Sequence, residues 1–483
     1  MQIKRTLFSI FLKNPLFSFS VSIYTLLTLP RMLSYGMFFD GTLYAIISKN
    51  MANGTGSLWA PHISESFGSI FYEQPPMAFF IESFFFRLLG DSVYVESFFG
   101  FFVGFLTILM IKQIWEKTIL NYKDLFWIPV LFFSIMPMTS WLYSNNMLEI
   151  LMTFFTMVSI YFTIKAHDHN KTSGQLLWGL LSGTFIVFAF LTKGPVGLFP
   201  FALPFGYFLI KRTRETAVKM IYIYSGILLS FILFFCYLYL NEEAFRFLSQ
   251  YFKQQVIASL EGKRENAARY HVFIKLFSEL SLPLVICGIL FFIYRQKAKI
   301  RTDKYFYLFL FISISASLPI AISTKQMRWY IFPSLPLYLI ALSVLMAPYF
   351  SLLQKSLVSK PVRRKYIQII SFSLVFLSVF IMYIDRNSLR KSKDFHYDFS
   401  IQKLKIENNS LVSIWSPSLY QDYDLLMNLI RRHNIIIVRE KRNEKYILVH
   451  KDDKNIQIPN QYKRYHPKNS AKYILYKKDE QFK

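Results

Sequence analysis

Asp40, in the stretch FFDGTLYAIISKN (38–50), is a lone carboxylate just after the first long apolar run, beside a glycine and one turn ahead of Tyr44. Two chemistries fit it. An aspartate suits the amino end of a helix, where its oxygen caps free N–H groups and the dipole favours negative charge. A carboxylate that stays ionised at a membrane edge also suits a general base that takes the proton of an acceptor hydroxyl. Nothing local separates the two. Glu73 sits in FYEQPP (71–76), where two prolines stiffen the backbone behind it, as a site requires and as a rigid turn also does. Lys193, in LTKGPVG (191–197), divides two apolar runs. Gly-Pro supplies a turn but calls for no cation at membrane depth, so Lys193 reads either as a phosphate ligand or as a snorkelling lysine at a helix end. In STKQMRWYIFPSLP (323–336), Lys325 and Arg328 precede an aromatic-rich run. Arginine offers phosphate a planar fork and lysine a point charge, although such residues also anchor span ends beside Trp and Tyr. In SNNMLE (144–149), Asn145 and Asn146 suit a cap, whereas Glu149 enters an apolar helix and needs a cavity or a cation to face.

These groups hang on a strongly apolar chain. Of its 483 residues, 53% are hydrophobic and 19% aromatic. Runs such as 194–210, 221–240 and 367–384 carry no Asp, Glu, Lys or Arg, and each is long enough to cross a hydrocarbon layer of roughly 30 Å as a helix. Barrel strands would alternate apolar and polar residues, and these runs do not, so the expected fold is an all-α polytopic membrane bundle. The net charge of +26 falls mostly in short connectors and the tail. That pattern sets orientation and argues against a nucleic-acid partner. With connectors such as 112–123 and 211–219 inside, the reading is about 11 spans, an internal amino terminus kept as a first span, and an external carboxyl tail.

In that orientation residues 37–92 form a large first external loop. Within it, Gly41–Met51 reads as a short helix lying on the membrane surface with Leu43, Ile46 and Ile47 to one side. Met77–Leu89, with Glu82 and Arg87, reads as a second interfacial helix. The connector 241–271, with Lys253, Arg264, Arg269 and His271, is either a mobile cover or a solvated loop. From Arg386 onward, short alternating runs at 411–414, 434–438 and 445–449 point to a small soluble α/β domain, giving a division at 1–385 and 386–483. Cys236 and Cys287 lie in apolar runs as packing residues. His167 and His169 in HDHN, and His62 near Glu65, make no convincing ligand set. No P-loop, GxGxxG or GxSxG pattern occurs.

The order of the motifs carries more than any one of them. Asp-x-x-x-Tyr-Ala (40–45), Glu-x-Pro-Pro (73–76), Thr-Lys-Gly-Pro (192–195) and Lys-x-x-Arg-Trp-Tyr-x-x-Pro (325–333) together resemble the GT-C membrane glycosyltransferases, over about residues 15–385. The protein O-mannosyltransferase and aminoarabinose transferase group (glycosyltransferase families 39 and 83) is the branch they look most like. The resemblance implies a polyprenyl-phosphate sugar donor and a lipid, glycan or protein acceptor, as in protein glycosylation or lipopolysaccharide modification. It implies Asp40 as catalytic base and Glu73 as the residue that positions acceptor or sugar. Lys193, Lys325 and Arg328 would hold the phosphate leaving group, with Tyr44, Gln74, Glu149 and Tyr330 as further substrate contacts. An activated nucleophile on one side of the anomeric carbon and stabilised negative charge on the other fit an inverting single displacement.

Two departures stand out: Gly41 and Leu43 occupy places where the family often has Glu and Arg, and Gln74 replaces the lysine of Glu-Lys-Pro-Pro. No cofactor is assigned, and a divalent cation is left open. The expected location is a bacterial cell inner membrane, multi-pass, with the site and tail periplasmic and the ionic side chains converging in one pocket. A transporter or lipid flippase, or an inactive scaffold of the same fold, are the alternatives.

Overall fold

A backbone in hydrocarbon has no partner but itself, and the apolar runs are accordingly helical. The computed structural model describes residues 11, 13–64, 70–261, 270–300, 302–322, 326–386, 388, 406–453, 455–465 and 472–479. In chain order the first helices are α1 (Pro15–Thr28), α2 (Phe39–Ala52), α3 (Met77–Leu89), α4 (Val95–Thr118), α5 (Trp127–Ile135) and α6 (Pro137–Ser144). Next come α7 (Leu148–Asp168), α8 (Thr172–Lys193), α9 (Leu203–Lys211), α10 (Arg214–Leu240) and α11 (Glu242–Tyr251). Then follow α12 (His271–Tyr294), α13 (Lys304–Ser317), α14 (Leu335–Val358) and α15 (Pro361–Ile384). The tail holds β1 (Leu411–Ile414), α16 (Tyr423–His433), β2 (Ile436–Val438), β3 (Tyr446–His450), β4 (Tyr462–Arg464) and β5 (Tyr473–Lys478).

The chain packs into two compact units, and it passes from one to the other within α3 and α4. The membrane unit comprises Met1–Met32, Tyr72–Ala78 and Gly100–Ile384; the tail unit comprises Leu33–Phe71, Phe79–Phe99 and Asp385–Lys483.

Among the described residues, nine helices are long and apolar enough to cross a membrane. Three stretches that the sequence offers as separate spans, 124–142, 175–192 and 194–210, take another form. The run 124–142 is broken between α5 and α6, because Pro137 holds Met136 in an extended conformation (φ −65°, ψ 130°) and stops the first helix there. The runs 175–192 and 194–210 form one 40-residue apolar stretch, Thr172–Lys211, interrupted by a 3-10 segment, Gly194–Ala202. At Gly194 the backbone takes φ 78°, ψ −150°, and the chain then folds back so that Gly197 lies against the Ala189 backbone. Small and polar side chains bring the neighbouring helices close. A Cβ at Gly179 would stand 2.6 Å from the Ile223 carbonyl oxygen, and the Ser182 hydroxyl on α8 meets Ser159 at 2.9 Å and Thr163 at 2.8 Å on α7.

The tail unit is built on a five-stranded sheet of order β2-β1-β3-β5-β4. β2, β1 and β3 run parallel, and β5 is antiparallel to both β3 and β4. α16 supplies Leu425, Leu426, Leu429 and Ile430 to a core that includes Val412, Ile414, Ile437 and Leu448. Ile46 of α2 is part of that same core, and Leu43 packs against it. This corrects the reading of α2 as a helix whose apolar side lies on lipid. Hydrophobic periodicity reports that a face is buried, and here protein buries it. The opposite face of α2 meets α3: Ala45 clusters with Phe86 and Val95, the Tyr44 and Phe79 rings lie 5.6 Å apart, and the Ser48 hydroxyl donates to Glu82 at 2.8 Å. Burying a side chain such as Ile46 contributes about 1.5–3 kcal/mol.

Candidate functional site

Glu149 and Lys193 each posed a problem as isolated residues, and the fold answers both with one contact. Glu149 lies in the first turn of α7 and Lys193 is the last residue of α8. Each sits at the helix end whose dipole favours its charge. They form an ion pair of 2.9 Å, with side chains 0% and 8% exposed. The Lys193 ammonium also lies 5.5 Å from the centre of the Tyr330 ring, a cation–π distance. Glu149 Oε2 has no hydrogen-bond partner among the described residues.

The pair faces a cavity of about 430 Å³ in the membrane unit. Its other polar walls are Glu73 and Gln74, on the stretch leading into α3; Tyr251, at the end of α11; and Gln255, on the π-helical turn 252–257. Pro195, Val196, Phe199 and Ile320 supply much of the apolar wall. Pro75 and Pro76 are buried behind an exposed Glu73, so the carboxylate is presented on a stiff backbone. Gly194 is required twice over. Its φ of 78° is one that other residues rarely adopt, and a Cβ there would meet the Tyr251 hydroxyl at 2.0 Å.

Arg328, Asp40 and Tyr44 are not among the described residues that line this cavity. Arg328 opens a 3-10 segment, Arg328–Ser334, is exposed, and holds its guanidinium 4.6 Å over the Trp141 ring, which in turn stacks on Trp329. Lys325 falls outside the described residues, as do Arg264, Arg269 and Glu65. Asp40 and Tyr44 belong to the tail unit. Asp40 is the second residue of α2, inside its first turn, while Phe38 holds the cap position without a side-chain cap bond. The aspartate therefore complements the helix dipole but is not the cap residue. Tyr44 is 3% exposed and packed against Phe79. Among the described residues, no three His, Cys, Asp or Glu side chains converge to hold a metal ion.

The residues that sequence reasoning missed are Tyr251 and Gln255 in the cavity wall and, in the tail unit, Lys49, Asp91, Glu96 and Arg431. The segment 241–251, read as connector, starts with Asn241 capping the Ala244 N–H at 2.9 Å. Ala244, Phe247, Leu248 and Tyr251 are buried along one face. That cap followed by a helical apolar pattern was the available signal. Arg431 is 3% exposed and pairs with Asp91 at 2.8 Å and Glu96 at 3.1 Å.

Residues 73–239 match the model of the dolichyl-phosphate-mannose-protein mannosyltransferase family. A crystal structure of ArnT from Cupriavidus metallidurans bound to undecaprenyl phosphate superposes with a TM-score of 0.63 at 13% identity, over 95% of this chain and 97% of that one. The fold is that of the GT-C glycosyltransferases. The apo structure of the same ArnT gives a TM-score of 0.59 at 14% identity, over 94% of this chain and 95% of that one. An uncharacterised protein of Aquifex aeolicus (strain VF5) is 29% identical over 228 residues, 44% of this chain and 42% of the relative, so the match spans under half of that protein's length. The GT-C fold and the family match begin from different facts, one from shape and one from the sequence that carries Glu73, Glu149 and Lys193.

Proposed function

We propose that this chain transfers a sugar from a polyprenyl-phosphate-linked donor to a lipid, glycan or protein acceptor, by inverting displacement at the periplasmic face of a bacterial inner membrane. The observation that carries the reading is the Glu149–Lys193 pair facing a mostly apolar cavity walled by Glu73 and Gln74. The ammonium meets the donor phosphate as a point charge where water is scarce, so negative charge that develops on the leaving group is stabilised. Glu149 Oε2, without a protein partner among the described residues, accepts a hydroxyl of the sugar. Glu73 positions the acceptor or sugar from the stiff end of its proline turn. Arg328, and Lys325 with it, serve the donor headgroup as it approaches from the membrane surface.

The family match supports a glycosyl-transfer chemistry, and the bound undecaprenyl phosphate of the ArnT structure supports a lipid phosphate as the carrier. Asp40 is assigned as the base on its motif and on its place in the first turn of a helix, where the dipole favours negative charge. The test uses membranes containing the protein and a set of polyprenyl-phosphate donors labelled in the sugar. Wild-type protein moves label to an endogenous acceptor, and Asp40→Asn lowers that rate by about 10²–10⁴-fold, the range a general base supplies, while donor binding stays unchanged. Full transfer by Asp40→Asn contradicts the base assignment; no transfer by wild type from any such donor contradicts the function.

A further inference from the structure

α2 carries Asp40 in its first turn, and it is held from both sides within the tail unit. On the tail side Ile46 enters the core of the sheet and α16, Leu43 packs against that core, and the Phe39 ring lies 6.2 Å from that of Tyr423. At the far end of α2 a chain of polar contacts closes the arrangement. Lys49 pairs with Asp91 at 3.1 Å and donates to the Asn434 side chain, and Asn434 donates on to Asp91 at 3.3 Å. Arg431 then spans Asp91 at 2.8 Å, the Ser92 carbonyl at 2.7 Å and Glu96 at 3.1 Å, with its guanidinium 5.2 Å over the Phe86 ring.

Asn434 ends α16 in the left-handed conformation (φ 49°), so the Lys49 ammonium also meets the negative end of that helix. Burial pulls Lys49 below the usual lysine range, with Asp91 opposing the shift and Arg431 adding to it. A buried arginine with two carboxylates and a carbonyl in its fork is directional in a way that a greasy contact is not. It sets register as well as adhesion.

We propose that the tail domain is the seat of the α2 helix, and that Arg431 is the positioning residue that fixes Asp40 through Asp91 and Lys49. The proposal rests on the reading of Asp40 as the base, and one of its two measurements is independent of that reading. Full-length protein in detergent is compared as wild type, Arg431→Met and Arg431→Lys, by hydrogen exchange along residues 39–52 and by steady-state transfer kinetics. In Arg431→Met the α2 amides exchange about tenfold faster or more while β3 amides keep their protection, and kcat falls about tenfold with the donor KM unchanged, as loss of a coupled contact network predicts. Arg431→Lys, which keeps the charge but not the fork, recovers part of both.

Unchanged exchange in α2, or equal loosening of α2 and β3, overturns the seat, as does full activity in Arg431→Met. If Arg431→Met does not fold, Glu96→Gln, which removes one of the two carboxylates, is read in the same way and must loosen α2 selectively. If wild type transfers no sugar, the functional reading falls, and selective exchange in α2 alone decides the seat.

Discussion

Replacing Lys193 by methionine keeps the volume of the side chain and strands the Glu149 carboxylate. At 2.9 Å and an effective dielectric near 20, the lost attraction is about 6 kcal/mol. Breaking buried pairs from one side typically costs about 3–5 kcal/mol. Lys193→Met is therefore destabilised relative to wild type by about 3–5 kcal/mol. Glu149→Gln/Lys193→Met, in which neither charge remains, recovers most of that loss, and it does not recover transfer. The assay is unfolding of detergent-solubilised protein titrated with dodecyl sulfate and followed by circular dichroism. A Lys193→Met variant as stable as wild type, or a double variant as weak as Lys193→Met, refutes the buried pair as the electrostatic centre of the cavity.

Gly194→Ala places a side chain at φ 78° and against the Tyr251 hydroxyl. It destabilises the protein by about 1–3 kcal/mol, and adding Tyr251→Phe relieves the collision but leaves the backbone strain, so the double variant stays measurably weaker in the same unfolding assay. Burial, with Arg432 adding to it, pushes His433 down to about 4. The unfolded chain then binds a proton that the folded one refuses, so stability of the tail falls as pH drops from about 6.5 to about 4, by at most about 3 kcal/mol. Hydrogen exchange over 411–438, corrected for its intrinsic pH dependence, follows that loss, and His433→Gln flattens it.

Elements whose signals are local were legible. Met77–Leu89 begins right after its two prolines and ends before Gly90, and the first loop helix was placed within two residues of its observed bounds, Phe39–Ala52. Of the strands, 411–414 follows directly from alternation of side chains. The site was legible only as unmet needs. Glu149 required a cation or a cavity and Lys193 required an anion, but residues on different helices carry no sequence mark of each other. Arg431 was hidden for a related reason: two arginines in the last turn of an amphipathic helix look like exposed partners of its dipole, and only the fold brings Asp91 and Glu96 to one of them. The seating of Ile46 was misread because lipid and protein bury an apolar face with the same periodicity.

Binding of polyprenyl phosphate tests the role given to Lys193 most directly. Purified protein titrated with undecaprenyl phosphate in detergent, by native mass spectrometry, retains the lipid saturably, and Lys193→Met weakens retention by about tenfold or more, as loss of a charge-assisted contact of about 1.5–3 kcal/mol requires. Equal retention by wild type and Lys193→Met, or no saturable retention by wild type, contradicts a phosphate site built on that lysine.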